Sequence, residues 1–457
     1  MRILVVAGYF PPYAPASASR VNKFVKYLDA RGHDVRVLGP KNPDFPPTLQ
    51  PEISPDKIIY SGYSRINDLP GRVKTVLKNT FSRSKDTAAV RDEKEKKEQG
   101  ANSGAQLSHR PESRLSRAYR MLTNIPDSLI GWYPHAVRAG RALFRHWSPD
   151  IIFATTPPHT TLLVASRLAR LVDVPWVVDY RDLWADHGYY DAPWFRAKID
   201  RFLENCALAN CRGIVTVTRT WTDLLRQKRS QPVICVMNGY DPDDFAGLDR
   251  TPQEMNRLTL LYAGILYGRK RDPMPLFEAL GRLGPEADKI RVLFYTPNGR
   301  ADLDEEQEAV IRKYGLDDKL KFHPYIPQKE LLAVQARMDV LLLLRWDNPR
   351  EEGVIAGKLF EYIGADKPIL SVGLETGEAA DIIRDNGFGF VSRDPDAIAG
   401  YLKERLAAKM AGERSALDPD RRAGYDRNAQ FAKLEKFLFR VAGKGDRHDS
   451  SQPESHF

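Results

Sequence analysis

Cysteine is scarce in this chain, with three residues in 457, at Cys206, Cys211 and Cys235. Their odd number and scattered positions argue against a disulfide framework and are typical of a protein from a reducing compartment. No pair of histidines stands near Cys206 and Cys211, so small buried residues are a better interpretation than a zinc site. We therefore expect a cytoplasmic protein.

Long apolar runs are also missing. No segment approaches the roughly 18–20 consecutive apolar residues that a membrane-spanning helix needs. The apolar residues at the start of the chain end too soon, at Pro11 and Pro12, for a signal peptide. The sequence therefore predicts no membrane span, and residues 3–7 are expected to form a buried strand.

Positive charge is in modest excess, with 69 Lys and Arg residues against 60 Asp and Glu residues and a formal net charge of +9. A basic balance favours anionic partners such as nucleotide phosphates, anionic lipids or nucleic acid. Nucleic acid is disfavoured because the sequence has no zinc-finger spacing, aromatic RNA-binding signature or basic heptad array.

Strand-like apolar segments and amphipathic helical segments alternate along most of the chain, which is typical of parallel sheets covered by helices. A chain of 457 residues exceeds the roughly 250–300 residues that one core supports, so two domains are expected. Strands are predicted at residues 3–7, 35–38, 151–154, 176–179, 214–218, 233–237, 258–263, 291–295, 320–323, 340–344, 368–372 and 389–391.

The polar stretch 238–253 is interpreted as the linker between the two domains. The predicted organisation is an N-terminal domain over residues 1–243, a C-terminal domain over 244–424, a helix over 425–443 that packs back on the first domain, and a disordered tail over 444–457. Residues 74–113 contain few large apolar side chains, so they are predicted to form a mobile insertion.

The first segment that could carry a binding or catalytic function runs from Gly357 to Ile363. A helix that begins at a glycine offers free backbone N–H groups and a positive dipole end to a diphosphate. Lys358 would add a positive charge, and Glu361 would bond to the hydroxyls of a ribose. An ordinary surface helix with a Lys–Glu pair at i,i+3 would show the same spacing.

The second such segment runs from Tyr262 to Arg271. Gly264 and Gly268 allow the backbone to approach a ligand closely. Three consecutive cations, residues 269–271, offer contacts to phosphate groups. A solvated basic loop is the alternative interpretation.

Several further segments occur in order along the chain. With the two above, they are Tyr9-Phe-Pro-Pro, Arg31-Gly-His-Asp-Val, Pro157-Pro-His, Val178-Asp-Tyr-Arg-Asp-Leu-Trp, Asn238-Gly-Tyr-Asp-Pro-Asp-Asp-Phe, the run from Tyr262 to Leu280, and Gly357-Lys-Leu-Phe-Glu-Tyr-Ile with Lys367-Pro-Ile-Leu. Together they resemble glycosyltransferase family 4. The resemblance implies the GT-B fold, an α/β architecture of two Rossmann-like domains whose parallel sheets face a central cleft. It also implies a UDP- or GDP-linked sugar donor, retention of anomeric configuration, and no cofactor or metal.

The resemblance also implies roles for single residues. The predicted catalytic residues are Arg269, Lys270, His159 and Glu352. The predicted donor-binding residues are Gly264, Gly357, Lys358, Leu359 and Glu361. The predicted acceptor-side residues are Arg20, Asp179 and Asp182, and the loop 13–20 would close over the donor.

The chain departs from the family pattern at one carboxylate. Many members carry a glutamate eight positions before the ribose-binding one, where this chain has Gly353. Glu352 lies one residue earlier and would serve if the loop were one residue longer.

Asp-x-Asp pairs at 241–243, 302–304 and 394–396 have a spacing that binds metals in other folds. Aspartate is expected in loops and helix caps in any case, so no metal is predicted.

The predicted function is transfer of a sugar from a nucleotide-sugar to a polysaccharide or lipid-linked acceptor in cell-surface glycan synthesis. Two alternatives stay open. One is a UDP-sugar 2-epimerase of the same fold, which needs no acceptor. The other is a catalytically impaired subunit that binds a nucleotide-sugar and supports a partner, an alternative that the glycine at position 353 favours.

Arginines at helical spacing predict contact with an anionic membrane surface, peripheral on the inner face of the plasma membrane. The first stripe is Arg110, Arg114, Arg117 and Arg120. The second is Arg138, Arg141 and Arg145, interspersed with Val137, Leu143, Phe144 and Trp147. The alternative for the second stripe is a helix that packs on the N-terminal sheet and leaves its arginines solvated.

Overall fold

The computed structural model of the protein describes residues 1–13, 18–42, 49–68, 119, 121, 123–186, 192–413 and 416–444. The predicted insertion 74–113, the first arginine stripe and the tail beyond residue 444 lie outside these residues. So do residues 14–17 of the loop that was predicted to close over the donor.

The first sheet has seven strands in the order β3-β2-β1-β4-β5-β6-β7. Its strands are β1 (Arg2–Ala7), β2 (Asp34–Pro40), β3 (Ile58–Ser61), β4 (Ile151–Thr156), β5 (Trp176–Tyr180), β6 (Gly213–Thr216) and β7 (Val233–Cys235). β1 pairs in parallel with β2 and β4, so that Val5 lies opposite Val37 on one side and Phe153 on the other. β1 is buried along five of its six residues, as expected for a parallel strand with both faces covered.

Five helices of eight residues or more belong to this part of the described chain. They are α1 (Ser19–Ala30), α2 (Tyr133–Leu143), α3 (Thr160–Val172), α4 (Trp194–Leu208) and α5 (Arg219–Lys228). The side chain of Thr218 caps α5 by accepting a hydrogen bond from the Trp221 backbone N–H. Asp173 ends α3 in a left-handed conformation that aspartate tolerates better than most residues.

The second sheet has six parallel strands in the order β10-β9-β8-β11-β12-β13. They are β8 (Leu258–Ala263), β9 (Ile290–Tyr295), β10 (Leu320–His323), β11 (Val340–Leu344), β12 (Ile369–Val372) and β13 (Gly389–Ser392). Alternate residues of β11 enter different apolar clusters, Leu341 and Leu343 on one face and Leu342 and Leu344 on the other. This sheet is therefore covered on both faces.

Helices follow the strands of the second sheet. They are α6 (Met274–Arg282), α7 (Glu305–Tyr314), α8 (Gln328–Ala336), α9 (Gly357–Ala365), α10 (Glu378–Asp385), α11 (Pro395–Met410), α12 (Pro419–Ala423) and α13 (Arg427–Val441). Aspartate side chains cap α7, α11, α12 and α13, and α7 has a full capping box with Gln307. None of the described helices is both long and apolar enough to cross a bilayer.

The chain divides into two compact units. The first comprises residues 1–22, 34–174 and 193–210, and the second comprises 23–33, 175–192 and 211–457. The domain boundaries that the sequence suggested, near residues 243 and 424, stay predictions. The segment 238–253 is more ordered than a linker, because Tyr240 and Phe245 are buried in the apolar cluster around α9.

Every predicted strand is present, with ends that differ by at most two residues. Among the elements that were not predicted are β3, α4, α11 and α12. The prediction for the second arginine stripe was partly wrong, because α2 ends at Leu143, and Leu143 and Trp147 are buried. The Trp147 Nε1 donates to Asp34 at 2.6 Å, so this indole stabilises the fold of the first unit and does not face a membrane.

The last helix, α13, packs against α1 within the second unit. Phe431 contacts Phe24 with ring centroids 5.0 Å apart. Next to them the Glu435 carboxylate is bonded to His33 Nε2 at 2.7 Å and accepts from the Tyr27 hydroxyl at 2.9 Å. Burial alone would raise the pKa of Glu435, but His33, Tyr27 and the charge of Arg31 together hold it below its ordinary value.

Replacing Glu435 with Gln is expected to lower the unfolding free energy by about 1–3 kcal/mol at pH 7, because three partners lose a charged acceptor. A lowered carboxyl pKa stabilises the fold above the ordinary value of 4.5, and this stabilisation is lost as the pH falls through the folded-state pKa. The difference between parent and variant should therefore shrink below about pH 4.5. Thermal unfolding at pH 7 and pH 4 measures it, with Glu413→Gln, at an exposed position, as control. Equal midpoints for both variants at pH 7 would contradict the expectation.

Candidate functional site

The second sheet has a topological switch point between β8 and β11. From β8 the chain continues outward through β9 and β10, and then returns to β11 on the other side of β8. Ligands of open parallel sheets bind in the crevice at the carboxyl ends of the two strands that flank such a point. Gly264 follows β8 and Arg345 follows β11, so these two residues mark the edge where a ligand is expected.

Helix α9 begins at this edge without a side-chain cap. Its N-cap residue, Ala356, has no side chain that can accept a hydrogen bond. Gly357 is exposed, and a Cβ added there would have no atom within 4 Å. Open space therefore lies next to the uncapped first turn, which suits an anion at a helix N-terminus.

Lys358 points from this first turn toward the end of β8. Its Nζ donates to the Ala263 carbonyl oxygen at 2.6 Å and lies 4.4 Å from the centre of the Tyr262 ring. Gly264 has a φ of +150°, and a Cβ there would lie 2.2 Å from Lys358 Nζ. A residue with a side chain at position 264 would therefore displace this ammonium group, and the structure brings the two predicted donor-binding residues together.

The Lys358 ammonium is destabilised where it lies. Burial lowers its pKa to about 8, with a further contribution from the positive charge of Arg271, while Glu361 acts in the opposite direction. Burial likewise raises the pKa of Glu361, and the Lys358 charge opposes that effect. An anion that arrived beside Lys358 would favour its charged form, so the site is arranged to gain from anion binding.

Glu361 lies one turn after Lys358 on α9. Its Oε1 accepts a hydrogen bond from Gln328 Nε2, at the start of α8, at 3.2 Å. Leu359, between them in sequence, is fully buried, and its backbone N–H donates to the Ala356 carbonyl. A role for Leu359 in donor binding through its amide, like the ribose-binding role of Glu361, stays a prediction.

The two predicted catalytic cations have other partners in the structure. Arg269 is half exposed among three carboxylates, with Asp272 at 3.6 Å, Asp304 at 3.8 Å and Glu306 at 2.5 Å. The Lys270 Nζ lies 4.6 Å from the centre of the Trp346 ring. Their contact with a diphosphate stays a prediction.

Two arginines of the site were not among the predicted catalytic or donor-binding residues, although Arg271 was one of the three cations expected to contact phosphate groups. Arg271 pairs with the buried carboxylate of Glu351 and is the cation that acts on the Lys358 pKa. Arg345 is 4% exposed, and its Nη1 donates to the carbonyls of Leu374 and Thr376 at 2.6 and 3.0 Å. Its Nη2 has no hydrogen-bond partner among the described residues. Arg345 could have been identified from the sequence, because it is a cation directly after the apolar strand β11.

Position 353, where many family members carry a glutamate, has no room for a side chain in this fold. A Cβ at this position would lie 2.7 Å from the Trp221 Nε1, so the indole occupies the space that a side chain would need. Glu352 is exposed, and its carboxylate accepts from the Thr376 hydroxyl at 3.2 Å. Its catalytic role stays a prediction.

Glu352 lines a polar cavity of about 540 Å³ between the first turns of α5 and α10. Glu378 joins the two helices across it, because its carboxylate accepts from the backbone N–H groups of Arg219 and Thr220 at 2.8 and 3.1 Å. A carboxylate at a helix N-terminus is favourable. Glu352 is therefore next to space that a ligand can enter.

The remaining predicted residues, the catalytic His159 and the three acceptor-side residues, occupy varied surroundings. His159 is the N-cap residue of α3, after β4, and its Nδ1 lies 2.8 Å from the Thr156 hydroxyl. Arg20 is buried in the first turn of α1, Asp179 is buried in β5, and Asp182 is exposed after β5. Asp127 supports the turn at His159 by accepting from the Thr160 N–H and hydroxyl at 2.8 and 2.7 Å. The catalytic and acceptor roles of these residues stay predictions.

The Asp-x-Asp pairs lie in turns and helix caps. Asp241 caps the short helix Pro242–Phe245 and pairs with Lys23 at 2.8 Å. Asp302 accepts from Asn298, and Asp304 and Asp394 cap α7 and α11. Within the described ranges, no three or more His, Cys, Asp or Glu side chains come together in a way that could hold a metal ion.

Comparison with known proteins adds a family model, a curated relative and solved structures. Residues 90–239 match the model of the glycosyl transferase 4-like domain. The 2-deoxystreptamine glucosyltransferase of Streptomyces kanamyceticus is 26% identical over 284 residues, which cover 57% of this chain and 69% of the relative. Sucrose-phosphate synthase from Thermosynechococcus elongatus aligns with a TM-score of 0.60 at 15% identity, over 97% of this chain and all of that one. Anabaena HepE in complex with UDP aligns with a TM-score of 0.57 at 12% identity, over 96% and 99% of the two chains.

The neighbours of Lys358 predict opposite effects on its titration. Replacing Arg271 with Gln should raise the pKa of Lys358 above about 8, because a like charge is removed. Replacing Glu361 with Gln should lower it, because the opposite charge is removed. The measurement is the pH dependence of the ¹³Cε resonance in lysine-labelled protein, with Lys358→Arg identifying the signal. Shifts of the same sign in both variants would disprove this electrostatic arrangement.

Proposed function

We propose that this GT-B glycosyltransferase transfers a sugar from a nucleotide-sugar to a glycan or lipid-linked acceptor in cell-surface glycan synthesis. The predicted resemblance to family 4 is confirmed by the matched domain model. The predicted fold is confirmed by the two parallel sheets and by the similarity to solved glycosyltransferases. The donor, the acceptor and the stereochemistry belong to the proposal.

One observation carries the proposal, the position of Lys358 at the switch point of the second sheet. Its ammonium lies against the end of β8, where Gly264 leaves it room, and it rises from the uncapped N-terminus of α9. A diphosphate is the ligand that suits backbone N–H groups and a cation together. Glu361, one turn further along the same helix, would accept from ribose hydroxyls when the diphosphate lies at Lys358.

The arrangement supplies what departure of a nucleoside diphosphate requires. Cleavage of the bond between the anomeric carbon and the phosphate oxygen builds negative charge on the β-phosphate. A fixed cation and fixed N–H groups stabilise that charge more in the transition state than in the ground state. Lys358 would stabilise the negative charge on the departing diphosphate, and Arg271 and Arg345 would add to the positive electrostatic potential there. Transfer without a metal and with retention of configuration is the form of the reaction that we propose.

The comparisons support the donor and acceptor classes as follows. HepE is described in complex with UDP, which favours a UDP-linked donor over a GDP-linked one. The Streptomyces relative is named as a glucosyltransferase, which favours a hexose as the transferred sugar. For the acceptor we retain a glycan or a lipid-linked sugar, with the enzyme in the cytoplasm and peripheral on the membrane.

The impaired-subunit alternative is favoured by one specific observation, the Trp221 indole that fills the space at Gly353. If the family glutamate is indispensable, this chain binds a nucleotide-sugar and does not transfer it. Glu352 lines the cavity next to that position and is our candidate for the missing carboxylate. The two functions therefore differ in turnover and not in nucleotide binding.

Turnover with a panel of nucleotide-sugars tests the proposal. A thermal-shift screen of UDP- and GDP-sugars comes first, since a ligand at about 100 times its dissociation constant adds roughly 2.7 kcal/mol to stability. The stabilising donor should then release its nucleotide only when an acceptor is present, at a rate unchanged by EDTA and with the anomeric configuration retained in the product. Epimerisation without acceptor would assign the chain to the 2-epimerase class. Binding without turnover of any kind would assign it to the impaired subunits.

Nucleotide fragments separate the roles of Lys358 and Glu361. Lys358→Gln should weaken UDP binding about 10-fold or more and leave uridine binding unchanged, because only the phosphates touch the ammonium. Glu361→Gln should weaken the binding of both UDP and uridine, because both contain the ribose. In the parent, UDP affinity should also fall as the pH rises through about 8, where Lys358 loses its charge. Calorimetry measures the affinities, with Glu330→Gln on the exposed face of α8 as control. Unchanged uridine affinity in Glu361→Gln would remove this residue from the ribose site.

A further inference from the structure

A groove of about 680 Å³ lies on the first unit, between α2, α3 and α4. Four arginines line it, Arg138 and Arg141 from α2 and Arg167 and Arg170 from α3. All four are exposed, and Arg138, Arg141 and Arg167 form no ion pair with any described residue. No carboxylate is among the described residues that line the groove. The groove therefore presents a concentrated and uncompensated positive charge.

Helix α4 borders this groove and exposes large apolar side chains. Trp194 is 72% exposed, Phe202 is 66% exposed and Ile199 is 39% exposed. Cys206, one turn after Phe202, lines the groove itself. Phe202 therefore lies one helical turn from the groove, and we call the groove together with the exposed apolar side chains of α4 the arginine groove surface.

The opposite face of α4 is firmly held. Arg196 donates to the carbonyls of Met121, Asn124 and Pro126 at 3.1, 2.8 and 2.7 Å, and pairs with the buried Asp200 at 2.8 Å. These bonds fix the rotation of the helix about its axis. The outward position of Trp194 and Phe202 is therefore a consequence of how α4 is anchored, and the apolar row cannot turn inward without breaking them.

We infer that the arginine groove surface docks the enzyme on an anionic lipid bilayer, with lipid phosphates in the groove and the side chains of α4 inserted among the headgroups. Charge complementarity favours this occupant, because arginine forms paired hydrogen bonds with phosphate oxygens. Aromatic and apolar side chains beside cations are typical of surfaces that lie at the interface of a membrane. An acidic soluble partner would satisfy the arginines but would leave the exposed Trp194 and Phe202 unexplained.

The inference differs from the sequence-based prediction in the residues that it uses. The tryptophan that follows α2, Trp147, is buried and is not available for membrane contact. The apolar contact comes from α4, which the sequence did not identify. The inference rests on the proposed function only for its purpose, since a lipid-linked acceptor would give membrane docking a role.

Sedimentation of the full chain with vesicles tests the charge component. The parent should bind vesicles rich in phosphatidylglycerol at low salt, bind less at high salt, and bind neutral phosphatidylcholine vesicles weakly. Replacing Arg138, Arg141 and Arg167 together with Gln should reduce partitioning on the order of 100-fold, since each cation near such a surface contributes about fivefold. The matched control replaces three exposed cations of the second unit, Lys289, Arg312 and Lys436, with Gln, and should bind nearly as the parent does. Equal binding by the two triple variants would overturn the inference.

A fluorophore on the exposed Cys206 tests the insertion component. An environment-sensitive thiol dye at this position should shift to shorter wavelength with phosphatidylglycerol vesicles, and Cys206→Ser identifies the background from the other cysteines. Replacing Trp194 and Phe202 with Ser should abolish the shift. A parent that shows no shift, or that binds soluble polyglutamate as tightly as vesicles, would exclude lipid docking. UDP affinity, measured on the same samples, keeps the two proposals separate: loss of vesicle binding with UDP binding intact removes only the docking surface.

Discussion

The Lys358 ammonium against the end of β8 is the interaction on which the rest of the site depends. It joins the carboxyl edge of one central strand to the first turn of the helix that follows the other. Glycine suits position 264 because a Cβ there would lie 2.2 Å from Nζ and because a φ of +150° strains any residue with a side chain. Burial and the neighbouring Arg271 make the charge costly, which is why the pKa of Lys358 falls to about 8. A bound anion would relieve that cost.

The structure leaves several favourable interactions unmade at this edge. Helices α7, α11, α12 and α13 have aspartate caps, whereas α9 has Ala356 in that position and, like α6, α8 and α10, begins without a side-chain cap. The buried Arg345 keeps a nitrogen without a partner in the described chain. Such omissions cost stability. They are understandable where a ligand supplies the missing acceptor.

How much could be predicted depended on how local each feature was. The strands were predictable because parallel strands buried on both faces are continuous apolar runs, as in Val340–Leu344. Helix α4 was not, because its row Trp194, Ile199 and Phe202 is exposed while Asp200 and Glu204 are buried, which reverses the usual amphipathic pattern. A surface that binds something outside the chain breaks the rule by which buried faces are recognised.

The sequence by itself determined the alternation of strands and helices, the family resemblance, and the junctions at Gly264 and Gly357. These follow from local periodicity and from the positions of the two glycines in the chain. Only the tertiary structure decided which cation of residues 269–271 acts on Lys358, because the direction of a side chain depends on partners distant in sequence: Glu306 takes Arg269, and Glu351 takes Arg271. It also decided that Trp147 is buried and Phe202 exposed. Burial depends on which residues pack against a side chain, and those residues are often distant from it in the sequence.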